Sequence, residues 1–142
     1  MEKYFVSYTQ SLALKELGFN EDCFAYFNSK GDLSTHSDEY EVYLINNDKW
    51  ISAACSAPLK QQVFKWFRDK HKLYTEINLD SYKEPYSLKV TIKKMDATNT
   101  YVEKELLPYA NGIGGIDNDK YEEAESACID KLIEVIKEKE IE

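Results

Sequence analysis

Two runs of strict alternation constrain this chain more than any other feature. Leu73, Thr75, Ile77 and Leu79 alternate with Tyr74, Glu76, Asn78 and Asp80; after Ser81–Pro85, Tyr86, Leu88, Val90 and Ile92 alternate with Ser87, Lys89, Thr91 and Lys93. A period of two sends successive side chains to opposite faces of an extended backbone, so each run reads as a strand with one apolar face. The polar, proline-containing break between them predicts an antiparallel hairpin. Its second face sets acids and amides of the first strand against lysines of the second, which favours this register by about a few tenths of a kcal/mol per contact.

A sheet with one apolar face needs a covering layer. Upstream, Ser56-Ala57-Pro58 is a helix start in which the missing proline N–H is harmless. Leu59, Val63, Trp66 and Phe67 then recur at helical spacing, predicting a helix over 58–70. Downstream, Asp119 with Glu122 has capping-box spacing, and Tyr121, Ala124, Cys128, Leu132 and Val135 keep a helical stripe to about Lys139. Near the start, Ser7 and Gln10 form another capping box, Gly18 takes the left-handed position, and Phe19 folds back on Leu14, giving a helix over 8–17.

Cys23–Asn28 and Leu33–Thr35 flank the turn residues Ser29–Asp32 and predict a second hairpin, with Phe24 and Tyr26 on one side. Tyr40–Ile45 alternates as a strand, Asn46–Asp48 turns the chain, Tyr101–Leu107 is compatible with a further strand, and Asn111–Gly115 reads as a loop. Phe19, Phe24, Trp66 and Phe67 are assigned to the core. No linker-like composition and no internal repeat divides the 142 residues, a length suited to one core. The expected fold is α+β: a single domain over 1–142, with an antiparallel sheet packed by about three amphipathic helices.

Composition removes several function classes. With 43% hydrophobic and 31% charged residues the chain is too apolar to be disordered, and its apolar runs fall far short of the ~20 residues that span a bilayer. Cys23, Cys55 and Cys128 are an odd, widely spaced set without a metal-knuckle pair, and neither a secretory leader nor a lipidation pattern is present. A reduced, cytoplasmic protein without a cofactor or metal is expected.

The net charge of −8 is unevenly spread: −5 over 1–56, +5 over 57–95, −3 over 96–118 and −5 over 119–142. A basic island between acidic ends is either a solvated face paired within the molecule or a docking patch. Gln61, Lys65, Arg68 and Lys72 lie along one stripe of the 58–70 helix and its end, and Tyr74 follows on the hairpin's outer side. Tyrosine offers an apolar ring with a polar tip, a common interface anchor. These five residues are the candidate surface for a protein partner.

The order helix, strand, strand, possible strand, helix is also the topology of double-stranded-RNA-binding domains, which grip phosphates with lysines at the start of the last helix. Here that position reads Tyr121-Glu122-Glu123-Ala124-Glu125, which repels phosphate, so nucleic acid is not the expected partner. The same acids supply an alternative: Glu122, Glu123, Glu125 and Asp130 could imitate nucleic-acid phosphates and occupy the basic cleft of a defence protein. A further alternative is a small-ligand, nucleotide-type site at Gly112–Gly115, where glycine amides could approach an anion, although no lysine or hydroxyl follows in the phosphate-loop position. His36 and Asp38 with Cys23 or Cys55 would be the components of a nucleophile and its base, but Cys55 and Cys128 read as small core residues.

Three stretches carry a resemblance: Ala13-Leu14-Lys15-Glu16-Leu17-Gly18-Phe19 followed by Cys23; Ser56-Ala57-Pro58-Leu59-Lys60-Gln61-Gln62-Val63-Phe64-Lys65-Trp66-Phe67-Arg68; and Tyr121-Glu122-Glu123-Ala124-Glu125 running into Leu132-Ile133. Together they resemble small uncharacterised proteins encoded by phages and prophages of Bacteroidetes-type bacteria. The shared positions are mainly helix caps and core residues, so the resemblance implies a common fold and carries over no catalytic residue. It implies a non-enzymatic accessory protein in the host bacterial cytoplasm, binding a host or phage protein; self-association is a separate expectation.

Overall fold

The computed structural model describes residues 2–35, 44–47, 54–80, 87–95, 101–102 and 118–141. It is α+β, with helices α1 (Tyr8–Glu16), α2 (Lys60–His71) and α3 (Asn118–Ile141) and strands β1 (Ala25–Phe27), β2 (Leu33–Thr35), β3 (Cys55–Ser56), β4 (Leu73–Asp80), β5 (Ser87–Met95) and β6 (Tyr101–Val102). The strands form two antiparallel sheets of three, ordered β2-β1-β3 and β4-β5-β6. The chain divides into two compact units, residues 1–63 with 140–142 and residues 64–139, and the division falls within α2.

In the first unit, local chemistry settles α1 as the sequence predicts. The Ser7 side chain accepts from Gln10 N (3.1 Å) while Gln10 Oε1 accepts from Ser7 N (2.9 Å). At the other end Gly18 has φ +93°, Phe19 N donates to Leu14 O (2.9 Å) and Gly18 N to Lys15 O (3.1 Å), the paired bonds of a Schellman cap. Phe19 and Leu14 are both fully buried behind it.

The β1–β2 hairpin closes on Asn28, whose Oδ1 accepts from Lys30 N (2.9 Å) and Asp32 N (3.0 Å). Gly31, at φ +85°, supplies the left-handed step in this turn. A Cβ there would lie 3.0 Å from Cδ1 of Tyr8, whose ring is held against Phe27. Gly31→Ala is therefore expected to cost about 2 kcal/mol, against about 1 kcal/mol for Gly18→Ala, which meets open space and pays only the backbone conformation. Thermal melts of the two variants would check the order.

Phe5, Ala25, Phe27, Cys55 and Ala57 make the core of this unit, with Tyr8, Leu12, Leu33 and Leu59 packed against it. The buried parity of β1 is thus Cys23, Ala25 and Phe27. Phe24 faces the other way and is 38% exposed, its ring edge-to-face with Phe5 at 5.7 Å, which corrects its assignment to the core. Two small residues carry the inner face of this strand, so the larger aromatic marks the wrong side. Ile45 and Cys23 bond each other across an isolated bridge (2.6 Å each way); the rest of the strand expected over 40–45 lies largely outside the described residues.

The second unit is the hairpin expected from the alternation. Leu73, Thr75, Ile77 and Leu79 oppose Lys94, Ile92, Val90 and Leu88, while Tyr74, Glu76 and Asn78 oppose Lys93, Thr91 and Lys89. On the second face Lys93, opposite Tyr74, reaches diagonally to Glu76 at 3.2 Å, while the amide of the first strand, Asn78, stands directly opposite Lys89. β6 adds two residues beside the end of β5. Phe64, Trp66 and Phe67 of α2 are buried, as are Leu73, Leu88, Val90 and Ile92 of the hairpin. On α3, Ala124, Cys128, Ile129, Leu132, Ile133, Val135 and Ile136 are buried, a stripe covering about half its circumference at 100° per residue.

Candidate functional site

The C-terminal half of α2 and the start of β4 form the densest described cluster of cations in the second unit. Lys65, Asp69 and Lys72 fall on successive turns. Lys65 Nζ lies 2.5 Å from Asp69 Oδ2, with both side chains about three-fifths exposed (62% and 59%). The Lys65 hydrogen bond holds the Asp69 carboxyl below the usual carboxylate range, and the charges of Lys65, Arg68 and Lys72 add to it. Three of the predicted partner-binding residues therefore act on one exposed point. Arg68 is half-buried, Lys72 is exposed, and Tyr74 is 39% exposed beside them. Gln61 is exposed on the first turn of α2, in the other unit, and is not part of this cluster.

Sequence reasoning missed how this surface is supported. Trp66 is buried edge-on to Phe67 (centroids 5.0 Å apart) and to His71 (4.9 Å), and Lys70 Nζ sits 5.8 Å from the Trp66 ring centre. An apolar, aromatic floor thus lies beneath the basic end of the helix, where the helix dipole also favours cations. Helical spacing could have shown Asp69 as the internal counter-ion of Lys65, since carboxylate and ammonium four apart are neighbours on a helix.

Lys72 joins α2 to β4 with no loop residue to spare. Its φ is +57°, a left-handed conformation that costs a residue bearing a Cβ; its N–H donates to Arg68 O (3.1 Å) and its carbonyl accepts from Met95 N (3.0 Å). Glycine is the residue suited to that position, so Lys72→Gly is expected to raise stability by about 0.5–1 kcal/mol while removing one charge from the basic face. Urea titration of the variant would check the stabilisation. A lysine kept at such a place is spending conformational energy on its charge.

The acidic alternative is only partly assembled. Glu123 and Asp130 are exposed and Glu122 is half-buried, but Glu125 is buried (8%) because helical spacing places it within the buried stripe, between Leu132 and Ile136. It does not join the others at the surface. Farther along α3, Lys131 pairs with Glu134 at 2.9 Å and holds that carboxyl below its usual range. Carboxylates, Glu122 and Glu123 among them, occupy the first described turns of α3.

The cysteines are buried rather than poised. Burial pushes the Cys23 and Cys128 thiols up to about 12 and the Cys55 thiol up to about 11, so all three are protonated at neutral pH. Cys23 Sγ lies within reach of Glu21 O (3.4 Å) and Gln62 Oε1 (3.6 Å), and burial outweighs its hydrogen bonds in setting the pKa. Among the described residues no group of three His, Cys, Asp or Glu side chains is placed to hold a metal ion. No helix among them is long and apolar enough to cross a membrane. His36, Asp38 and the Gly112–Gly115 loop lie outside the described residues.

No protein family, curated protein or solved structure matches this chain.

Proposed function

We propose that the protein is a small, non-enzymatic accessory protein of a phage or prophage, acting in the bacterial cytoplasm by binding a host or phage protein through the basic face of α2 and the adjoining outer face of the β4–β5 hairpin. The observation that carries this reading is the joint action of Lys65, Arg68 and Lys72 on the Asp69 carboxylate. Asp69 balances one of these three cations, and the net positive charge that remains favours a partner that is acidic where it touches. Tyr74, exposed at the edge of the cluster, supplies the apolar area that a purely electrostatic contact lacks. The three protonated, buried thiols support a binding rather than a nucleophilic role.

The test is capture from host lysate by the wild-type protein and by the Lys65→Glu, Arg68→Glu double variant, with circular dichroism confirming that both are folded. Rim charges steer association and are screened by salt. The specific partner is expected to be lost from the double variant and weakened by raising salt from about 0.1 M to 0.5 M. Identical capture by both proteins would refute the assignment of this face.

A further inference from the structure

We infer that the outer edge of β4 is a self-complementary pairing edge, through which two copies of the chain join antiparallel into one continuous six-stranded sheet. Among the described residues β4 has β5 on one side and no strand on the other. Along its eight residues there is no lysine, proline or bulge, the devices that ordinarily keep a strand edge from pairing. The burial pattern agrees. Thr75 and Ile77 are only half-buried although they share the inner face with Ile92 and Val90, their partners on β5, which are fully buried.

The hydrogen-bond phase determines which groups that edge offers. Met95 N donates to Lys72 O, and in an antiparallel ladder the residues that exchange bonds alternate, so Tyr74, Glu76 and Asn78 are spent on β5. The N–H and C=O of Thr75, Ile77 and Leu79 point outward. A second β4 can bond these groups only in registers that pair odd residues with odd, and the side chains choose among them. Two such registers set like charges directly opposite each other, Glu76 against Glu76 in one and Glu76 against Asp80 in another, which is unfavourable. Of the registers that avoid like charges, the one centred on Ile77 pairs the most of β4, seven residues against five for the one centred on Thr75; it opposes Ile77 to Ile77, Thr75 to Leu79, Glu76 to Asn78 and Tyr74 to Asp80. It makes about six main-chain hydrogen bonds across a twofold axis with no like-charge pair. The cationic start of the strand, at Lys72, then approaches the anionic end of its partner, at Asp80. This pairing uses the edge of the sheet and not the outer face assigned to a partner protein, so each can fail without the other.

Sedimentation equilibrium across a concentration series tests it with variants at one exposed position. Asn78→Glu puts a carboxylate opposite Glu76 of the second copy, twice over, while facing Lys89 within its own hairpin. It is expected to weaken dimerisation about tenfold. Asn78→Lys at the same position is expected to tighten it several-fold at low salt. Thr75→Pro deletes an N–H that β5 does not use and is expected to abolish the dimer; if that variant does not fold, the opposite signs at position 78 decide. A wild-type protein that stays monomeric to about 100 μM, or a dimer equally stable in both position-78 variants, would overturn the inference.

Discussion

Above pH 9 the protein is expected to lose stability at about 4 kcal/mol per pH unit, the sum of about 1.4 kcal/mol per unit for each of three buried thiols. Burial raises Cys23, Cys55 and Cys128 from 9.0 to about 12, 11 and 12. Between 9 and 11 the unfolded chain has given up these protons while the folded chain still holds them. The native state then binds more protons than the unfolded one, and stability falls as pH rises. The full stability is present below pH 9 and is lost on the way to the folded values. The loss amounts to about 8 kcal/mol by pH 11, enough to unfold a domain of this size at the lower end of the usual ~5–15 kcal/mol. Urea midpoints measured from pH 8 to pH 10.5 would show the slope, and Cys128→Ala should remove about a third of it. A midpoint that stays level across that range would contradict the burial of the thiols.

The second large effect is in the core beneath the basic helix end. Phe67 is fully buried, edge-on to Trp66 and tilted against His71 with centroids 5.8 Å apart. Phe67→Ala is expected to cost about 3–5 kcal/mol, because the ring's transfer energy is lost and its neighbours cannot close the space. Trp66 fluorescence during urea unfolding, read in a Trp50→Phe background so that one tryptophan emits, reports this unit. Tyr74→Ala, at a 39% exposed position, should cost less than about 1 kcal/mol and serves as the comparison. A Phe67→Ala cost in that lower range would mean that the ring does not support the helix face, and the aromatic floor proposed for the docking surface would go with it.

Legibility in the sequence tracked how local the signal was. The Ser7–Gln10 capping box, the Gly18 cap, helix α2 and the β4–β5 register all rest on spacings of a few residues, and each stands where the alternation and capping signals place it. The α+β class and the antiparallel pairing stand as read; among the described residues the strands fall into two sheets of three, and β3, two residues long, pairs with β1 from nearly thirty positions away. No periodicity exists in two residues. Phe24 and Glu125 were misplaced for a related reason. Alternation and helical stripes specify a set of faces, but small Cys23 and Ala25 mark the inner face of β1, and the buried arc of α3 is wide enough to take in a carboxylate.

The candidate site divides in the same way. That Lys65, Arg68 and Lys72 share a helix side follows from 3.6 residues per turn, and any reader of the chain can place them there. The Lys65–Asp69 pair is readable from the same spacing, whereas the left-handed turn at Lys72 and the ring contacts of Trp66 with Phe67 and His71 appear only in the structure. The amino-acid order by itself determined the elements, their caps and which strand faces are apolar, because those depend on dihedral preferences and spacing along one segment. The tertiary structure alone decided which strands become edges, which thiols are sealed from water and which charges act together, because those depend on groups brought close through space by the burial of distant apolar faces.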